Sequence, residues 1–278
     1  MSKLIPMCGL PRSGSTLLVN LLNQNPKITV SPDSILSSLV QASQESFTNM
    51  VSESQYDSDT SYEMFYNFCR GGIDNWINTI CSTPHYIDKC RGWGHELDLL
   101  VNMFPNIKLI YTIRDLRGIA SSIEKIQKTT PMKYKDEFFF GDQTYDYSQE
   151  DLYIVKTKNL FESSMIRRNL ICIKEILDIR REHFKRIYVV RYEDLILSPR
   201  ETLENLYDHL GIDHYNHNLK NIEQIKYHDS FYLPYGRHKI KESLEPSNPY
   251  VFSIPDKIQT HLIDTYSWYY EEFYQDQI

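Results

Sequence analysis

The stretch "LIPMCGLPRSGSTLLVNLL", Leu4 to Leu22, constrains the fold more than any other part of the chain. A short apolar run enters a glycine turn, and a helix follows with Leu17, Leu18, Leu21 and Leu22 on one face. Strand, glycine loop and helix in that order are the layout of a phosphate-binding loop. The spacing Gly9-x-x-x-x-Gly14, with Thr16 behind it, fits the nucleotide-binding version, but Ser15 stands where that version has lysine. Backbone N–H groups from Arg12 to Thr16, at the start of a helix, form a cradle for an anion. Ser13, Ser15 and Thr16 add hydroxyl donors, and Arg12 adds a fixed charge with a planar donor fork. A triphosphate would be poorly neutralised here, because the lysine that reaches its terminal phosphates is missing. The strand ending at Tyr111-Thr112-Ile113 supplies no metal-holding carboxylate at its tip, since Arg114 precedes Asp115. The loop therefore points to a ligand with fewer charges at that end, and to no metal.

The rest of the chain extends the pattern, and residues 1–278 read as one domain. Strands are expected at Leu4–Cys8, Ile28–Val30, Tyr86–Asp88, Ile107–Asp115 and within "RIYVVRYEDL". Helices are expected from the loop to Pro26, and over Tyr62–Cys81, His95–Phe104, Arg117–Ile126 and Leu152–Phe184. Two more follow, from Ser198-Pro199 to Leu210, closed by Gly211, and over Asp256–Tyr274. Gln41–Ser61, rich in Ser, Gln, Asn and Asp, reads as a mobile surface segment, and Thr129–Glu150 as an insertion. Strands alternating with helices imply a parallel sheet covered on both faces.

Composition narrows the partners. Thirty Lys+Arg against 37 Asp+Glu give −7, which argues against broad binding to nucleic acid or an anionic membrane and leaves room for a local basic pocket. No apolar run approaches the roughly 18 residues of a membrane span. The N-terminal residues lack a signal-peptide core, and five scattered cysteines without a CxxC pair favour reduced thiols. A soluble cytoplasmic protein is expected. The 21 tyrosines read as compositional drift.

"PRSGST" followed by the leucine-rich helix resembles the 5′-phosphosulfate loop of sulfotransferases that use 3′-phosphoadenosine 5′-phosphosulfate (PAPS). "RDLRGIASS" resembles that family's 3′-phosphate site, where a strand-terminal arginine and a serine eight positions later hold one phosphate; here these are Arg114 and Ser122. "FPNIKLIYTIRDLRG" and "YEDLILSPRETLENLYDHLGI" look like the branch with tyrosylprotein and other membrane-associated sulfotransferases, although no anchor is read here. The resemblance implies a P-loop-like three-layer αβα fold, a single domain with helical insertions. Residues 41–82 and 129–184 would then be acceptor-side elaborations. It also implies PAPS as donor and adenosine 3′,5′-bisphosphate as product; the lack of an anchor, which separates the chain from Golgi relatives, leads to the expectation of a microbial or viral cytosolic enzyme.

Residue roles follow from the same resemblance. In "DKCRGW", Lys89 matches the family's lysine, but Arg91 stands where cytosolic relatives carry the histidine base. The tyrosylprotein branch uses a carboxylate seven residues after the proline that ends the loop helix, and counting from Pro26 gives Asp33. Asp33 would be the base, Lys89 the cation on the leaving oxygen, and Arg12 the contact to the 5′-phosphate and sulfonate. Tyr192 would lie on the adenine side, and "YGRHKIKES" would cover the 3′-phosphate through Arg237 and Lys239. Asp33 could instead cap the helix starting at Ser34, which would pass the base to His85 or His95; Arg114 and Asp115 could form a structural ion pair. Ile35 replaces the branch's second basic residue, so the hydroxyl acceptor stays open among small molecules, saccharides and peptides. Two other readings stand beside this one: a P-loop kinase with a degenerate loop, and a non-catalytic nucleotide-binding module. The kinase needs Mg²⁺ and a triphosphate and leaves Arg114 and Ser122 without a purpose.

Overall fold

The computed structural model describes residues 3–129, 149–162, 164–225, 239–245 and 247–277. The chain runs β1 (Lys3–Gly9), α1 (Ser15–Leu22), β2 (Ile28–Ser31), α2 (Leu36–Met50), α3 (Ser58–Ile80) and β3 (His85–Lys89). It continues with α4 (Leu97–Met103), β4 (Leu109–Ile113), α5 (Leu116–Thr129), α6 (Gln149–Glu162), α7 (Ser164–Asp178) and α8 (Arg181–Phe184). Then come β5 (Ile187–Arg191), α9 (Tyr192–Leu197), α10 (Pro199–Leu210), α11 (Asp256–Thr265) and α12 (Ser267–Phe273).

The five strands form one sheet, ordered β2-β3-β1-β4-β5, and every pairing is parallel. Successive side chains of a strand point to opposite faces, so each strand feeds two cores. Ile5, Met7, Ile87, Ile110 and Val190 pack with α1 and α10 on one face. Leu4, Cys8, Tyr86, Leu109 and Tyr111 pack with α3, α7 and α12 on the other. The three-layer α/β arrangement is the expected one.

Several local expectations are corrected. Much of Gln41–Ser61 is helical: α2 runs to Met50, and α3 begins at Ser58. Leu36 and Val40 are buried, and the Phe47 ring stacks on Phe65 with centroids 4.4 Å apart. The polar residues that suggested a mobile segment form the solvent face of that helix. Asp57 caps α3 by accepting the Thr60 N–H at 2.9 Å. The helix expected over Leu152–Phe184 stops at Asp178, with the short α8 set apart beyond it, and the C-terminal helix is divided at Tyr266. Most of Thr129–Glu150 lies outside the described residues. Pro199 opens α10 and Gly211, at φ 69°, closes it, as expected.

Gly9 ends β1 at φ 140°, and a Cβ there would lie 2.2 Å from the Thr112 carbonyl oxygen. That oxygen accepts the Leu10 N–H at 2.9 Å, so the loop leaves the sheet in direct contact with β4. Gly9→Ala should therefore lose at least about 1–3 kcal/mol, the cost of one strained backbone position, before the steric overlap is counted. Urea unfolding of the two proteins measures it, and an unchanged midpoint would show that the contact is not required.

Candidate active site

Because the strands are parallel, their C-terminal ends share one edge, where open α/β sheets bind ligands. Asp33 follows β2, Lys89 ends β3, the glycine loop follows β1, Arg114 follows β4 and Tyr192 follows β5. All of them line one cavity of about 500 Å³. Their order along the edge is the order of the strands.

The loop is shaped from beneath. The Ser13 hydroxyl donates to the Leu10 carbonyl at 2.5 Å and shares a 2.7 Å hydrogen bond with the Thr112 hydroxyl. It is buried, and both of these hydrogen bonds are made within the protein. Ser15, Thr16 and Gly14 are on the cavity wall. Arg12 sits at φ 62°, the only positive value at a non-glycine residue among those described. Its Nε donates to Ser122 Oγ at 3.1 Å, and its carbonyl accepts Arg114 Nη1 at 3.2 Å. Arg114 and Ser122 therefore meet through Arg12, with Ser122 behind the wall.

The Arg114 guanidinium lies 4.2 Å from the centre of the Tyr192 ring. Gly14 packs against the same ring, where a Cβ would come within 2.6 Å of it. Gly118 makes room for the arginine, since a Cβ there would lie 2.7 Å from Arg114 Nε. That Nε is buried and has no hydrogen-bond partner among the described residues. No ion pair joins Arg114 to Asp115, because Asp115 is held by Arg117 Nη2 at 2.6 Å.

At the other end, Lys89 Nζ donates to the Pro32 carbonyl at 2.9 Å. Burial lowers the Lys89 pKa to about 8, and the Asp33 charge opposes that shift. Asp33 is exposed, and the α2 N-terminus is served by Ser34 Oγ, which accepts the Leu36 N–H at 3.1 Å. Beneath Lys89, the buried Asp88 accepts Trp93 Nε1 at 2.7 Å and the Tyr86 hydroxyl at 2.9 Å. The reserve histidines are elsewhere. His85 starts β3, in register with Lys3 and Ile28 at the far end of the sheet. His95 feels Arg168, Glu175 and Arg180 of the α7 side, and no histidine among the described residues lines the cavity.

Lys239 is on the wall, while Arg237 lies outside the described residues. Lys241, Ser243 and Arg91 line the cavity as well, and no motif spacing in the sequence assigns them a role. The pair Lys239 and Lys241 could have been found by its i, i+2 spacing in an extended stretch. That stretch is fixed where Ile222 N–H donates to Glu242 O at 2.7 Å and Leu244 N–H to Leu219 O at 2.8 Å. Ile123, Ile126, Ile196, Ile240 and Leu244 supply an apolar side. None of the described residues in 41–82 or 129–184, the expected acceptor-side elaborations, lines this cavity; many pack into the core instead. Among the described residues no helix is long and apolar enough to cross a membrane.

A family model described as the sulfotransferase family matches residues 5–216. The chain is 24% identical over 242 residues to nodulation protein NoeE of Sinorhizobium fredii, a match covering 80% of this chain. It spans about half, 53%, of that relative's length. The sulfotransferase domain from the Synechococcus PCC 7002 olefin synthase superposes with a TM-score of 0.55 at 18% identity, covering 96% of this chain and 95% of that one. The sulfotransferase domain from the curacin biosynthetic pathway gives 0.55 at 16%, covering 96% and 98%. Likenesses at these identities concern the fold.

The position of Lys89 has a measurable consequence. Its reactivity toward an acylating reagent, followed by peptide mass spectrometry, should titrate near pH 8, against about 10.4 for an exposed lysine. Asp33→Asn removes the negative charge that raises this pKa, so the midpoint should fall further. A midpoint at the exposed value would contradict the burial of the amine.

Proposed function

The chain belongs to the sulfotransferase family, and from that premise we propose that it transfers a sulfuryl group from PAPS to an acceptor hydroxyl, with a carboxylate as base. The observation that carries this reading is the pair Arg12 and Arg114 on the wall of the cavity that also holds Lys89 and Asp33, braced by Ser122 behind it and with a buried, unpartnered Arg114 Nε. The donor set fits an anion held at two points. The loop N–H groups, Ser15, Thr16 and Arg12 would hold the 5′-phosphosulfate end. Arg114 and Ser122 would hold the 3′-phosphate, with Lys239 and Arg237 beside it and Tyr192 with the isoleucine side bordering the adenine. PAPS, when bound, supplies the sulfuryl group and leaves as adenosine 3′,5′-bisphosphate.

The chemistry asked of the chain is positioning, charge stabilisation and one proton transfer. Lys89, on the strand next to the loop, would stabilise the charge growing on the leaving oxygen. Asp33, one strand further out, would accept the proton of the acceptor hydroxyl. Neighbouring strands stand about 4.8 Å apart, so adjacent strand ends bring base, cation and cradle within reach of one reacting centre. The acceptor is a hydroxyl compound, whether small molecule, saccharide or peptide.

Calorimetry should show tight binding of adenosine 3′,5′-bisphosphate without Mg²⁺. A requirement for Mg²⁺, or a preference for ATP–Mg²⁺, would favour the kinase reading instead. Arg114→Ala should lose about 1.5–3 kcal/mol of that affinity, the scale of a charge-assisted hydrogen bond, and with it the preference over the analogue lacking the 3′-phosphate.

Asp33→Asn tests the base. Turnover with a working acceptor should fall about 10²–10⁴-fold, while bisphosphate affinity and melting temperature hold. Near-normal turnover would remove Asp33 from that role.

A further inference from the structure

Arg91 is a cavity residue that the donor site does not use. It opens a 3₁₀ turn, Arg91–Gly94, two residues beyond Lys89. The backbone there is fixed on several sides. Cys90 N–H donates to Met7 O at 2.9 Å, Ser37 Oγ to Cys90 Sγ at 2.8 Å, and Trp93 Nε1 to the buried Asp88 at 2.7 Å. Gly92 lies so close to α2 that a Cβ would meet Ser37 Oγ at 2.7 Å. The Arg91 side chain, by contrast, is exposed, lines the cavity and has no hydrogen-bond or ion-pair partner among the described residues. A rigid backbone thus presents an uncommitted guanidinium.

We propose that Arg91 selects acceptors carrying an oxyanion, a carboxylate, phosphate or sulfate group, near the reacting hydroxyl; this rests on the sulfotransferase reading. One observation and two properties of the guanidinium group support it. Arg91 stands at the β3 end with Lys89 and Asp33, away from the β4 end where Arg114 lies, so its charge belongs to the acceptor half of the cavity. A guanidinium stays protonated at any working pH, so it cannot be the base that a histidine would be at this position. Its planar fork matches the two oxygens of an oxyanion, and beside Lys89 it would repel a cationic acceptor.

The test uses the full chain with PAPS and three acceptor pairs differing in one charged group. These are 4-hydroxyphenylacetate and its amide, glucuronate and glucose, and 3-hydroxybutyrate and its amide. The expected result is a higher kcat/KM for the charged member of a pair. Arg91→Gln should shrink that ratio about tenfold or more, chiefly through KM, while Arg91→Lys, which keeps the charge and loses the fork, should fall between the two. A ratio of one or below in the unmodified protein, or a ratio unmoved by Arg91→Gln, overturns the inference. So does an equal fall in kcat for both members, which would place Arg91 on the sulfuryl group. No turnover of any pair by protein that binds adenosine 3′,5′-bisphosphate also counts against it. Failure to bind the bisphosphate would instead bring down the sulfotransferase reading, and this inference with it.

Discussion

The buried carboxylate of Asp115 ties the site to the rest of the molecule. It accepts Arg117 Nε at 3.0 Å, Arg117 Nη2 at 2.6 Å and the Tyr270 hydroxyl at 3.0 Å. Its own N–H donates to Glu193 Oε1 at 3.1 Å, and Glu193 Oε2 accepts the Tyr274 hydroxyl at 2.8 Å. Tyr269 completes the set by donating to the Arg114 carbonyl at 2.9 Å. Two strand ends, two carboxylates and the C-terminal helix are thereby one unit. Burial pushes the Glu193 carboxyl up, and the hydrogen bonds it accepts oppose that shift. Removing one partner of such a buried pair costs roughly 3–5 kcal/mol, because the other charge stays behind. Arg114 can hold its side chain against Arg12 and Tyr192 because its backbone is pinned by this network.

The parts legible in the sequence were those whose signals are local. The apolar runs of β1, β4 and β5 announce buried parallel strands, and Pro199 and Gly211 mark both ends of α10. The strand-tip positions of Lys89 and Arg114 followed from motif spacing. What stayed hidden depends on contacts distant in sequence. Tyr269, Tyr270 and Tyr274 looked like composition, yet their hydroxyls reach residues more than 80 positions away. His85 is close to Lys89 in sequence, but four residues of strand separate them by about 13 Å. The α2 helix was missed because few apolar residues anchor it, so its polar face dominates the composition.

The lysine-free loop is explained by what replaces the lysine. Arg12 holds a left-handed backbone conformation that costs a non-glycine residue energy and persists only where the surroundings enforce it. Here they do so from both ends, through the Ser122 hydroxyl on its side chain and the Arg114 guanidinium on its carbonyl. Ser13 fixes the preceding turn to Thr112. The positive charge of the loop is thus braced from β4 and α5, instead of extending from α1 toward a terminal phosphate. That arrangement suits a compact anion gripped at two separated points.

Net charge alone misleads about such a pocket. The chain carries −7, yet the cavity wall holds six cations, Arg12, Lys89, Arg91, Arg114, Lys239 and Lys241, against Asp33 and Glu245 among the described residues. A recessed cationic cluster beside apolar walls focuses its field on a small anion that can enter. Exposed charges further away are screened over about 10 Å at 0.1 M salt. A small anion at the mouth of the cavity therefore meets this local cluster, and the average charge of the chain says little about it. The local field at the strand ends, rather than the overall charge, decides which anions this fold can admit.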